Sequence, residues 1–174
     1  GYPVLGTLPL YFKHYKYGKK QALSFKHGGP FTLDSDVVLG SKVAQEYGYR
    51  LGDVIHLSHG HAQANLPIHR QLSFTIVGIL NPTGTPVDNR VHVSLAALDH
   101  IHHSTPDVSG TPSSITAALI GLKSRFSIFK IQRYINNWPN ESLMAIIPGL
   151  TFAQLWNSIK SIDTAFVLIT IIVM

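Results

Sequence analysis

Asp36-Val-Val-Leu-Gly-Ser-Lys-Val-Ala-Gln-Glu-Tyr-Gly-Tyr-Arg-Leu-Gly-Asp-Val-Ile-His-Leu57 carries two kinds of periodicity one after the other. Val37, Val38, Val43, Ala44 and Tyr47 recur at helical spacing, and Gly48 follows where a helix can close in the left-handed region. Residues 51–57 then read as a strand entered through a tight Gly52-Asp53 turn. A helix and a strand joined so closely, in β-rich surroundings, indicate a mixed chain of the α+β class.

Outward from this stretch the pattern continues. Residues 58–71 read as a polar loop, and Ser73-Phe-Thr-Ile-Val-Gly-Ile-Leu80 as the clearest strand in the chain. Residues 81–88 have turn chemistry, and Arg90-Val-His-Val-Ser94 is a further strand. Ser94 is placed to cap a short helix through Leu95, Leu98 and Ile101. Towards the start, Tyr2-Pro-Val-Leu5 and Thr7-Leu-Pro-Leu-Tyr-Phe12 read as strands, with prolines that favour a sheet edge. His27-Gly-Gly-Pro30 reads as a turn.

Residues 104–112, rich in Ser, Thr, Pro and Gly, make the best subdomain boundary. Beyond them the pattern predicts a strand over 114–122, a helix over 124–138 with Ser124 as its cap, and a strand over 143–147. That order has the size of a βαβ-type unit. No internal repeat is present.

The chain of 174 residues is 45% hydrophobic and 13% charged, a composition that folds rather than stays disordered. Cysteine is absent, which removes disulfides and thiolate metal sites. Of the net charge of +5, much lies early, where residues 11–26 hold five lysines and three tyrosines. Such a mix suits nucleic acid, anionic lipid headgroups, or simply a solvated helix end. Beyond residue 42 the basic residues scatter, which argues against nucleic acid as a partner.

The end of the chain is different. After Asp163 nothing is charged, and Ala165-Phe-Val-Leu-Ile-Thr-Ile-Ile-Val-Met174 is an apolar run. A membrane span needs about 20 such residues, roughly twice this length. The alternatives are a core helix or strand, and the start of a truncated transmembrane helix over 156–174. The second reading is preferred, because an apolar terminus has no polar face to hold it in water. It carries the expectation that the natural chain continues past Met174, and the initial Gly1 suggests a cut front end as well.

Motifs for catalysis are missing. His27-Gly28-Gly29 resembles part of an oxyanion-hole turn but lacks a Gly-x-Ser-x-Gly partner, and no phosphate-binding glycine loop occurs. The expectation is therefore no enzyme and no bound nucleotide or other cofactor. Histidine is the compositional outlier, with ten residues. His56, His59, His61 and His69 crowd one strand end and its loop; Asp99, His100 and His103 form a second set at the next helix end. Imidazole binds zinc at neutral pH and a carboxylate can complete the set, so these seven are the candidate metal ligands, with zinc as the metal. The plain alternative is a group of solvated loop histidines.

The quoted stretch 36–57 resembles the helix–Gly-Asp–strand signature of MacB/FtsX-type ABC transporter permeases, where it lies in the extracytoplasmic domain between the first two transmembrane helices. Phe74-Thr-Ile-Val-Gly-Ile-Leu80 and Val91-His-Val-Ser-Leu95 resemble the next strands of that domain. Pro148-Gly-Leu-Thr-Phe-Ala-Gln-Leu-Trp156 stands where its second membrane helix begins. The resemblance implies a porter-like α/β part from residues 1–33 and 109–155, and an inserted β-rich lobe from 34–108. It implies a permease dimer in the bacterial inner membrane, with this domain in the periplasm. A cytoplasmic ABC ATPase would drive it, lipid would surround its helices, and a periplasmic partner protein or substrate would meet it outside.

Overall fold

Residues 1–57, 72–102 and 114–152, with 155, 156, 159 and 170, are described by a computed structural model of the chain. It is mixed α+β, and it divides into two units, Gly1–Ala118 and Leu119–Met174.

Asp36–Leu39 is a strand, so Val37 and Val38 do not begin a helix. All four of its residues are buried, because this strand runs between two others in the middle of the sheet. A strand covered on both faces is a continuous apolar run, and its alternation disappears from the sequence. The helix starts only at Ser41, after an extended Gly40 (φ −65°, ψ 154°). Gly40 is required there, since a Cβ would stand 2.4 Å from the Val87 carbonyl oxygen and 2.5 Å from that of Asp88.

Around this strand the first unit builds one mixed sheet. Its strands are β1 (Val4–Thr7), β4 (Phe25–Gly28), β5 (Asp36–Leu39), β6 (Val54–Leu57), β7 (Leu72–Leu80) and β8 (Val91–Ser94). The order is β1-β8-β5-β7-β4, and β6 also pairs with β7, beyond the stretch that β4 occupies. The β1–β8 and β5–β7 pairs are parallel; the other pairs of this sheet are antiparallel. A separate two-residue ribbon joins β2 (Lys16–Tyr17) to β3 (Gln21–Ala22). Helices α1 (Leu10–His14), α2 (Ser41–Tyr47) and α3 (Leu95–His102) complete the unit.

Alternate residues of β5 feed two apolar clusters, one of which also takes Val91 and Val93 of β8. Val37, Leu39, Val91 and Val93 join Phe74, Ile76, Val43 and Ala97 in one, while Val38 joins Phe12, Phe31, Leu80 and Val87 in the other. Each buried aliphatic or aromatic side chain contributes roughly 1.5–3 kcal/mol, so these clusters hold the sheet to its helices.

Several expectations are corrected. The strand expected over residues 7–12 is only the end of β1; Leu10–His14 is a helix, begun by Pro9 at φ −54° and anchored by buried Phe12. Residues 1–33 are not a lobe apart from 34–108, because β1 bonds to β8 and β4 bonds to β7 in a single sheet. The division of the chain falls after Ala118 instead, which leaves 1–33 and most of 109–155 in different units.

The second unit has a 3₁₀ turn at Arg125–Ser127 and helix α4 at Ile128–Asn136. Ser124 does cap, its hydroxyl accepting from the Phe126 N–H at 3.3 Å. The strands expected over 114–122 and 143–147 do not form: no ladder partner lies beside either one among the described residues. Residues 143–147 are held by side chains instead, with Gln132 Nε2 donating to the Ala145 carbonyl (3.1 Å) and the Ala145 N–H donating to Asn136 Oδ1 (2.6 Å). Among the described residues no helix is long and apolar enough to cross a membrane. The tail read as a truncated span, 156–174, falls outside them except at 156, 159 and 170.

Candidate functional site

A concave surface of the first unit, a cleft of about 740 Å³, is shaped by the same stretch that sets the fold. Helix α2 ends at Gly48, whose φ of 69° lets its N–H turn back to the Ala44 carbonyl. Tyr49 N–H bonds to the same oxygen at 3.0 Å, which folds Tyr49, Arg50 and Leu51 beside the helix. Asp53 Oδ2 then accepts the Arg50 N–H at 2.8 Å, closing the tight turn. Gly52 N–H donates to Ile76 O (2.8 Å) and Ile76 N–H to Asp53 O (2.9 Å), which fasten the turn to β7.

The cleft lies between this turn, α2, the end of β7 and the edge strand β4. Its floor is apolar, with Ala44, Ile79 and Leu80, and its polar rim includes Lys26, His27 and Arg50. Among the described residues no carboxylate lines it. Such a surface can hold a group that is anionic at one end and apolar along its length, but it contains no nucleophile with a base bonded to it among the described residues.

One serine–histidine contact does occur, away from the cleft. His56 and Ser73 are cross-strand partners on β6 and β7, with Nδ1 and Oγ 3.2 Å apart. Both are exposed, and among the described residues no carboxylate orients the imidazole. A nucleophile needs that third group and an oxyanion site, so this pair on its own is not a catalytic assembly.

Of the candidate metal ligands, the structure describes His56, Asp99 and His100. His56 is on β6, bonded to Ser73; Asp99, half-buried, and His100, exposed, are neighbours on α3. Among the described residues no three His, Asp or Glu side chains are grouped to hold a metal ion. His59, His61, His69 and His103 lie outside the described residues.

The histidine that sequence reasoning passed over is His92. It is fully buried, with Tyr11 and Phe12 rings 5.8 and 5.7 Å away. Burial drives its pKa down to about 4, the bond to the Val38 carbonyl opposing this in part. Its position between Val91 and Val93 in a strand was the available signal.

The basic, tyrosine-rich start also resolves. Tyr11, Tyr15 and Tyr17 are half-buried against the Phe12 cluster, while Lys13, Lys16, Lys19 and Lys20 are exposed. Burial raises the Tyr11 phenol to about 12. These aromatics belong to the core, so they are not a surface interleaved with charge. The chain matches no protein-family model and no curated protein.

Proposed function

We propose that this chain is an extracytoplasmic part of an ABC transporter permease of the MacB/FtsX type, with no catalysis of its own. In that role it relays ATP-driven motion from the membrane to a substrate or partner outside the cytoplasm. The observation that carries the reading is the α2–Gly48–turn–β6 unit. The residues that resemble the family signature are those that bind the turn to the central strand β7 through Gly52, Asp53 and Ile76. A motion-relaying domain needs such stiff joints between helix and sheet. The cleft, with no nucleophile bonded to a base among the described residues, is in keeping with a binding or relay role.

The test is biochemical. The gene product that carries this chain, solubilised from membranes in mild detergent, is expected to bring an ABC ATPase with it. Release into a high-salt or carbonate wash, with no ATPase recovered, refutes the reading.

A further inference from the structure

Helix α4 has two faces with different fates. Ile128, Ile131 and Ile135 are half-buried, and Gln132 on the same side holds residue 145 by a hydrogen bond. The side left outside is not an ordinary solvated face. Phe129 is 60% exposed, Tyr134 63% and Trp138 38%, and Phe126 just before the helix is 97% exposed. Lys130 and Arg133 stand among them, and these two cations with Phe129, Tyr134 and Trp138 border one shallow surface of about 580 Å³. Tyr134 and Trp138 meet edge to face at 5.4 Å. No acidic residue occurs in the helix, and residues 119–174 hold five basic residues (Lys123, Arg125, Lys130, Arg133, Lys160) against two acidic ones (Glu141, Asp163).

We infer that this face of α4 is a docking surface for the headgroup layer of an anionic lipid bilayer. Aromatic rings with a polar tip are stable where one end is apolar and the other wet, which describes Tyr134 and Trp138. Phenylalanines reach past the headgroups towards the acyl chains, and lysine and arginine between them neutralise lipid phosphate. Nucleic acid would also take aromatics and cations. Yet Met144 and Ile146 of the same unit are exposed too, and side chains without a ring gain nothing from stacking on bases. Two cations on the helix face are also few for a phosphate backbone. The inference goes beyond the transporter reading and does not depend on it, because it rests on α4 and the exposed side chains beside it in the second unit.

The experiment uses the full chain with Trp156→Phe, which leaves Trp138 as the reporter. It is mixed with vesicles of phosphatidylglycerol and phosphatidylcholine, and with vesicles of phosphatidylcholine alone. Binding to the anionic vesicles is expected to shift Trp138 emission to the blue, and lipids brominated near the headgroup should quench it. Lys130→Gln with Arg133→Gln should weaken binding about thirtyfold, and high salt should weaken it as well. Phe126→Ser gives a second readout at a side chain that makes no core contact, and it is expected to weaken binding at least several-fold.

The inference is overturned if the double variant binds anionic vesicles as well as the parent does. It is also overturned if the chain sediments with vesicles while Trp138 emission stays unshifted, which would mean that another segment binds. Preference for a single-stranded oligonucleotide over anionic vesicles overturns it too. Vesicle binding by α4, together with a detergent-solubilised membrane preparation that yields no ABC ATPase, would sink the transporter reading and leave this one standing.

Discussion

His92 on β8 and Val38 on β5 are direct cross-strand partners, and the imidazole Nδ1 lies 3.3 Å from the Val38 carbonyl oxygen. A carbonyl only accepts, so Nδ1 carries the proton and donates it. Nε2 is buried with no hydrogen-bond partner, which fits a ring that stays neutral.

That neutrality makes stability depend on pH. The folded pKa, about 4, lies below the ordinary 6.5, so between these values the unfolded chain binds more protons. The contribution is complete above about pH 6.5 and is lost as pH falls towards 4, by up to ~3 kcal/mol. Urea denaturation at several pH values should show stability rising across this window. His92→Leu should flatten the rise, and a slope unchanged in that variant would assign it to other groups.

Two glycines at the ends of α2 should behave differently. Gly40→Ala drives a Cβ into two backbone carbonyls at 2.4 and 2.5 Å, where nothing flexible can yield. A loss of about 2–4 kcal/mol is expected. Gly48 faces open space but has φ 69°, so Gly48→Ala should cost only about 1 kcal/mol. Equal losses in thermal melts would show that close approach at Gly40 is unimportant.

Ser94 serves two elements. Its hydroxyl accepts the Ala97 N–H at 2.9 Å, capping α3, and donates to Asp34 Oδ1 at 2.5 Å. Ser94→Ala should cost about 1 kcal/mol, and Ser94→Asp, which caps but repels Asp34, should recover little of it. Full recovery by Asp would mean that the cap alone matters.

Ser94 was legible because capping is local: the residue type and the apolar spacing after it are enough. The same holds for β7, for the Gly52-Asp53 turn and for Ser124. Val37 and Val38 were misread because what makes them a strand is the sheet on both sides of them, which local spacing does not encode. The joining of 1–33 to the sheet was equally hidden, since the β1–β8 pairing spans more than eighty residues of chain and leaves no local mark. The 114–122 and 143–147 runs show the reverse failure: apolar, strand-like composition without a partner strand among the described residues does not make a ladder. Of the candidate site, the cleft wall at 48–51 was visible as part of a motif. Lys26 and His27 were not, because β4 reaches that wall only through its pairing with β7.

Asp88 gives a final prediction, separable from that for His92 by its pH range. Its buried carboxylate accepts from Thr83 N–H at 2.9 and 3.1 Å, from the Thr83 hydroxyl at 2.9 Å and from Gly84 N–H at 2.8 Å. Burial opposes the charge, but these donors prevail and lower the pKa below 3.8. A lowered acid contributes above its unfolded pKa and is lost as pH falls through the folded value, so this loss begins below about pH 4. Asp88→Asn turns one acceptor oxygen into a donor facing donors, and should cost roughly 2–4 kcal/mol at neutral pH. It should also shrink the acid limb of the stability curve without removing it, because Asp36 is held in the same way by Thr32 and Leu33. The limb between pH 4 and 6.5 should be untouched. If Asp88→Asn flattened that higher limb instead, the assignment of the two pH ranges to two different groups would fail.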